Sequence, residues 1–227
     1  MRHPRDRKQN ALGAASERRA ELACHCPQRD VQTSAIPAKI RLVKSQQRMP
    51  GYSSSHSGPF IVGFTGHRRV ENEKKVAQVL QEVIAALQED FGADMIGRSS
   101  VASGADTLFA EACLAANLKW VALLPFPEAE FKKDFNAVDW KRARAVLDRA
   151  ERIETLSDTA ERPEGYLHCG LATVDGADVM VALWNGKVSR GRGGTAEIVE
   201  HARRVQKPLV LISSNRLEVT REGFPQV

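Results

Sequence analysis

Asp178-Val179-Met180-Val181-Ala182-Leu183-Trp184-Asn185-Gly186-Lys187-Val188-Ser189-Arg190-Gly191-Arg192-Gly193-Gly194-Thr195-Ala196-Glu197 decides the fold class of this chain. Its first part, Asp178 to Leu183, is an apolar run of strand length. Beyond it, Ala196, Ile198, Val199, Ala202 and Val205 recur at the three-to-four residue spacing of a helix face. The stretch therefore reads as strand, glycine-rich loop and helix. Four glycines between Gly186 and Gly194 let a backbone approach a ligand more closely than side chains would permit. The unpaired N–H groups of a helix start favour an anion, typically a phosphate.

The same alternation runs back to residue 59. Phe60-Ile-Val-Gly-Phe64 is a short buried strand leading into Thr65-Gly66-His67-Arg68, and a helix follows from about Asn72 with Gly92 near its stop. Met95–Ala102 is a second strand closed by Ser103-Gly104-Ala105-Asp106, and Thr107–Asn117 a second helix. Trp120–Leu124 is a third strand, stopped at Pro125. Charged helical segments over 128–150 lead to a more polar strand, Ala150–Leu156, nearer an edge. A helix over Tyr166–Val174 precedes the quoted stretch, and Leu209–Ile212 is the last strand. Strands alternating with helices imply an α/β fold, a doubly wound and mostly parallel sheet with helices on both faces.

Composition bounds the partners. Residues 1–58 hold eleven Lys and Arg against four Asp and Glu, whereas the remaining 169 residues hold twenty-two against twenty-four. Basicity belongs to the N-terminal extension, so nucleic acid is not expected as the main partner. Residues 1–58 lack apolar periodicity and are expected to be disordered. Met49, just before the patterned region, is a candidate alternative start. The expected domain covers 59–215, with 216–227 a C-terminal tail. Four cysteines make no disulfide framework, and Cys24-His25-Cys26 offers half a metal-ligand set with no second pair after it, so no metal is expected. No apolar stretch reaches the ~20 residues of a membrane span, and a cytoplasmic location without membrane association is expected.

In a doubly wound sheet, ligands bind at the carboxyl ends of the strands. Three small-residue loops occupy such ends: Gly63 to Arg68, Ser103 to Asp106, and Gly191 to Glu197. Neither G-x-G-x-x-G nor a P-loop is present. The candidate ligand contacts are Gly63, Thr65, Gly66, His67, Arg68, Ser103, Gly104, Asp106, Arg192, Gly193, Gly194 and Thr195. Asp106 has two readings, a ribose contact and the N-cap of the next helix, with the cap preferred. His67 is either an acid–base group or a structural histidine bonded to a neighbouring loop. Glu197 either serves a sugar, as carboxylates do in glycoside cleavage, or complements the helix dipole. Trp184 and Phe126 could stack a base, with core packing preferred for both.

The three motifs Gly-x-Thr-Gly-His-Arg, Ser-Gly-Ala-Asp and Gly-Arg-Gly-Gly-Thr-Ala-Glu, in this order after three strands, resemble those of the SLOG superfamily. That group includes the Lonely Guy phosphoribohydrolases, DprA-like DNA-processing proteins and ligand-sensing domains of bacterial defence systems. The resemblance spans about residues 59–212. It implies a Rossmann-like fold that binds a nucleotide or nucleotide-derived molecule without a further cofactor, acting as a bacterial sensor or accessory; a homodimer is compatible with it. The alternative it carries is N-glycosidic hydrolysis of a nucleoside 5′-monophosphate, with Glu197 as the catalytic carboxylate. Against the enzyme motif P-G-G-x-G-T-x-x-E, Gly194-Thr195 align, Arg192 replaces the second glycine, and Ile198 occupies the glutamate position.

Overall fold

The computed structural model describes residues 58–156, 161–188 and 191–224. The expectations for residues 1–57, Cys24-His25-Cys26 and Met49 among them, lie outside the described residues.

The chain enters the middle of a seven-stranded sheet. β1 (Phe60–Gly66), β2 (Met95–Ser99), β3 (Lys119–Leu124) and β4 (Arg152–Thr155) step outward to one edge, and β5 (Val179–Trp184), β6 (Leu209–Ser213) and β7 (Val219–Glu222) build the other side. The spatial order is β4-β3-β2-β1-β5-β6-β7, parallel throughout except for β7, which runs antiparallel to β6. The strand order therefore reverses between β1 and β5, whose registers align Thr65 with Ala182 and Gly66 with Leu183. The fold is a doubly wound α/β sheet, as the alternation implied.

Strand periodicity sorts the core into two layers. Val179, Val181 and Leu183 pack with α1 (Glu73–Phe91), α2 (Ala105–Ala115) and α4 (Ala137–Leu147), whereas Met180 of the same strand packs with α5 (Arg162–Asp175) and α6 (Thr195–Arg204). A short helix, α3 (Glu128–Phe131), inserts Phe131 under the connection from β3 to α4. Asn72 caps α1, its side chain accepting from the Lys75 N–H at 3.3 Å. Asp178 ties β5 to β1 by accepting from the Ile61 N–H at 2.7 Å.

Three local readings change. β2 ends at Ser99, three residues before the expected limit, because the chain after it is turned by the Thr107 hydroxyl donating to the Ala102 carbonyl at 2.9 Å. α2 accordingly begins at Ala105, and its N-cap is Gly104 rather than Asp106. The segment expected as a tail, 216–227, contains β7; with one apolar residue in Val219-Thr220-Arg221-Glu222, this edge strand carries no hydrophobic run to announce it.

Gly63, a candidate ligand contact by sequence, instead serves packing. It is buried in β1, and a Cβ there would lie 2.3 Å from the Met180 sulfur and 2.8 Å from the Ala177 Cβ. Gly63→Ala should lower stability by about 1–3 kcal/mol through overpacking. An unchanged melting temperature would show that the sheet and α5 are not in tight register at this point.

Candidate functional site

The loops that follow β1 and β5 open a cleft of about 810 Å³ at the carboxyl edge of the sheet, at the point where strand order reverses. Both the place and the size suit a small-molecule site. Thr65, Gly66, His67 and Arg68 form one wall, and Gly191 to Ala196 the opposite one. The loop after β2 contributes Ser100 and Ala102, the first turn of α2 Asp106, and α5 Tyr166, Cys169, Gly170 and Thr173.

His67 holds the loops together. Its carbonyl accepts from the Ala105 N–H at 3.1 Å, and its Nε2 accepts from the Asn185 N–H at 3.0 Å. An accepting Nε2 leaves the ring proton on Nδ1 in the neutral imidazole. Burial lowers the pKa of His67 from its ordinary value, against the raising effect of the Asn185 bond. The histidine is thus a neutral bridge between loops, and the structural reading describes it.

Glu197 is also committed locally. Its Oε2 accepts from the Gly193 N–H at 2.7 Å, bracing the turn in which Gly193 has φ +73°, and the residue is not among those lining the cleft. The carboxylate expected to do chemistry thus braces its own loop. No side chain caps α6, whose N-cap is Gly194; the buried Thr195 and the adjacent Ala196 line the cleft at this bare helix start. Arg192 pairs with Glu164 of α5. The Arg68 guanidinium lies over the Tyr166 ring, 4.3 Å from its centroid. Arg69 and Lys187 add positive charge to the rim, and Glu71 negative charge.

Ser103 and Gly104 do not reach this cleft. With Arg68, Glu73, Thr107, Asp139 and Arg142 they line a separate pocket of about 60 Å³, roughly the room for a water molecule or two. Gly104 has φ +89°, and a Cβ there would sit 2.2 Å from the Arg68 carbonyl oxygen. Its role is to let the loops after β1 and β2 touch. Phe126 is buried edge-on against Tyr166, as core packing required, whereas Trp184 lines the cleft with its Nε1 donating to the Lys187 carbonyl at 2.9 Å.

Asp106 is the carboxylic acid of the site that its surroundings perturb. Its Oδ2 accepts from the Ser100 hydroxyl at 2.9 Å, the Gly66 N–H also bonds to the carboxyl, and Oδ1 is shielded from solvent. Burial pushes its pKa up to about 7, outweighing the opposing effects of Ser100, Arg68 and the Gly66 N–H. Among the described residues no group of three or more His, Cys, Asp or Glu gathers that could hold a metal ion. No helix among them is long and apolar enough to cross a membrane.

Sequence reasoning missed the contributions of α5 and of Ser214-Asn215. The second was legible, since Ser214 follows directly on the carboxyl end of β6. The first was not, because which face of α5 meets the cleft is set by tertiary packing.

No family model matches the chain, and no curated protein matches it. Among solved structures it is similar to DNA processing protein A from Helicobacter pylori, at 19% identity and a TM-score of 0.48 over 68% of this chain and 65% of that one. DNA processing protein A from Streptococcus pneumoniae gives 17% identity and a TM-score of 0.49, over 68% of this chain and 50% of that one. The structural-genomics protein TM1055 gives 15% identity and 0.47, over 70% and 76%. The chain thus spans 65% and 50% of the lengths of the two DNA processing proteins. Single-stranded DNA binding is described for the Helicobacter protein. The fold of this chain stands on its own sheet order.

The Asp106 shift has a sign that can be measured. A folded pKa near 7 lies above the ordinary 3.8, so the folded state holds the proton more tightly between these values. Stability is then lost as pH rises from about 4 through about 7. Lowering the pH from 8 to 5 should raise the melting temperature of the wild type relative to Asp106→Asn. Parallel curves for the two proteins would refute the burial argument.

Proposed function

We propose that this chain binds a nucleotide or nucleotide-derived small molecule in the cleft between the β1 and β5 loops, its phosphate resting on the N-terminus of α6. The observation that carries this reading is the uncapped start of α6 opening into the cleft at the strand-order reversal. The first N–H groups of a helix have no partner within it and carry the positive end of the dipole. Thr195 adds a hydroxyl there, and Arg68, Arg69 and Lys187 set a positive rim. Tyr166 and Trp184 offer aromatic surface to a base. In keeping with the SLOG-like motifs, the domain serves as a sensor or accessory in a bacterial signalling or defence setting, within the cytoplasm.

Hydrolysis of an N-glycosidic bond is the less supported reading, because Glu197 is engaged by Gly193 and Ile198 stands where the enzyme motif has its carboxylate. The site residues proposed for binding are Thr65, Gly66, Arg68, Asp106, Gly194 and Thr195, with His67, Gly193 and Glu197 holding the loops.

Thermal-shift and calorimetric titrations with ribonucleoside 5′-monophosphates test this. At least one should raise the melting temperature, since a ligand at 100 times its Kd adds about 2.7 kcal/mol. Thr195→Ala combined with Arg68→Ala should weaken binding at least about tenfold, roughly 1.4 kcal/mol. Unchanged affinity in that double variant would move the site elsewhere. Release of free base, lost in Glu197→Gln, would turn the reading to the hydrolase. Tight binding of oligo-dT with no response to mononucleotides would turn it to single-stranded nucleic acid.

A further inference from the structure

The uncharged polar side chains of the cleft differ in what they still offer. On the side of β2 and α5 they are spent within the protein: the Tyr166 hydroxyl on Asp134, the Thr173 hydroxyl on the Cys169 carbonyl at 2.8 Å, the Cys169 thiol on the Leu123 carbonyl at 3.4 Å, and the Ser100 hydroxyl on Asp106. At the opposite end, beyond β5, the chain leaving β6 brings Ser214 and Asn215 to the cleft. Asn215 is exposed, and its Oδ1 accepts only a long bond of 3.4 Å from the Ser214 hydroxyl. Its amide nitrogen has no partner among the described residues.

The turn that carries Asn215 is held on both sides. The Ser214 N–H donates to the Trp184 carbonyl at 2.9 Å, and Ser213 accepts from the Leu217 N–H at its carbonyl (2.8 Å) and from the Arg216 N–H at its hydroxyl (3.3 Å). Leu217 takes a φ of +56°, which residues other than glycine seldom adopt and which persists only where the surroundings impose it. A carboxamide on such a turn presents a donor and an acceptor side by side, the pattern found along a nucleobase edge. β6 lies two places from β1 in the sheet, about 10 Å away at the usual strand spacing. A ligand with its phosphate beside Thr65 and Thr195 therefore reaches Asn215 with the far end of its nucleoside.

We propose that Asn215 reads the nucleobase, its carboxamide hydrogen-bonding a base edge that offers one donor and one acceptor. This rests on the nucleotide-binding reading of the cleft. It goes beyond that reading by placing the base at the β6 end of the cleft, not against α5, and by naming the residue that sets the preference among bases.

Calorimetric titration with AMP, CMP, GMP, UMP and ribose 5-phosphate, which has the phosphate and sugar but no base, measures what the base adds. Asn215→Ala should weaken binding of the mononucleotide that the wild type holds best about tenfold, and leave ribose 5-phosphate within about twofold. Asn215→Asp keeps the shape of the side chain and replaces the amide donor with a second acceptor. It should lose affinity for AMP, CMP and UMP, whose edges pair a donor with an acceptor, relative to GMP, whose N1–H and amino group are adjacent donors. An equal loss for ribose 5-phosphate and mononucleotide in Asn215→Ala would give Asn215 a part in holding the loop only, and sink the proposal. An unchanged ranking of bases in Asn215→Asp would do the same. Wild type that binds ribose 5-phosphate as tightly as every mononucleotide would overturn this inference while the phosphate site stands. Wild type that binds none of these ligands would remove the cleft reading and this one together.

Discussion

Parallel strands deliver their carboxyl ends to one edge but do nothing to hold the loops there in a fixed relation. In this chain that constraint is met at His67. One residue accepts two backbone N–H bonds, Ala105 to its carbonyl and Asn185 to its ring, and so couples the loops after β1, β2 and β5. The arrangement demands a neutral imidazole: a protonated ring would point an N–H at the N–H of Asn185. Burial supplies the bias toward neutrality. Gly104 completes the clamp, because only a residue without Cβ can lie against the Arg68 carbonyl at that φ. The cleft is therefore preorganised by backbone contacts.

The charges around the cleft are arranged so that few are idle. Arg192 is occupied by Glu164, and Arg68 rests on the face of Tyr166, whose hydroxyl donates to Asp134 while Arg162 pairs with the same carboxylate. Exposed pairs of this kind contribute about 0–1 kcal/mol each, so their value lies in placement rather than stability. They fix α5 as the wall of the site. The group that remains chemically open is the start of α6, which no side chain caps and which suits an anion.

Most of the fold was legible because buried parallel strands are continuous apolar runs. Phe60–Phe64, Trp120–Leu124 and Asp178–Leu183 could hardly be anything else between helical patterns, and the order of the motifs located the edge at which a cleft should form. The site was legible only as loops. That Gly63 packs under Met180 and Gly104 against a carbonyl, while Gly194 begins a helix open to the cleft, depends on three-dimensional neighbours; glycine reads the same in all three places. β7 escaped for a related reason. An edge strand has one neighbour and little to bury, so Val219–Glu222 is patterned by solvent rather than by the core.

The position of one glutamate shows what such differences can do to chemistry. On a helix, neighbouring residues are turned about 100° from one another. At Glu197 the carboxylate reaches back over the first turn to the Gly193 N–H and braces the loop. At the next residue, the side chain faces α5 and the cleft, and there the chain has Ile198, buried with its side chain set so closely on Gly170 that a Cβ on that glycine would lie 2.3 Å from the Ile198 Cδ1. A carboxylate in that place would have to be desolvated against hydrocarbon, and a developing positive charge on a sugar would find hydrocarbon rather than an anion beside it. A one-residue offset on the helix therefore puts a packing contact where the resembled enzyme motif has its carboxylate.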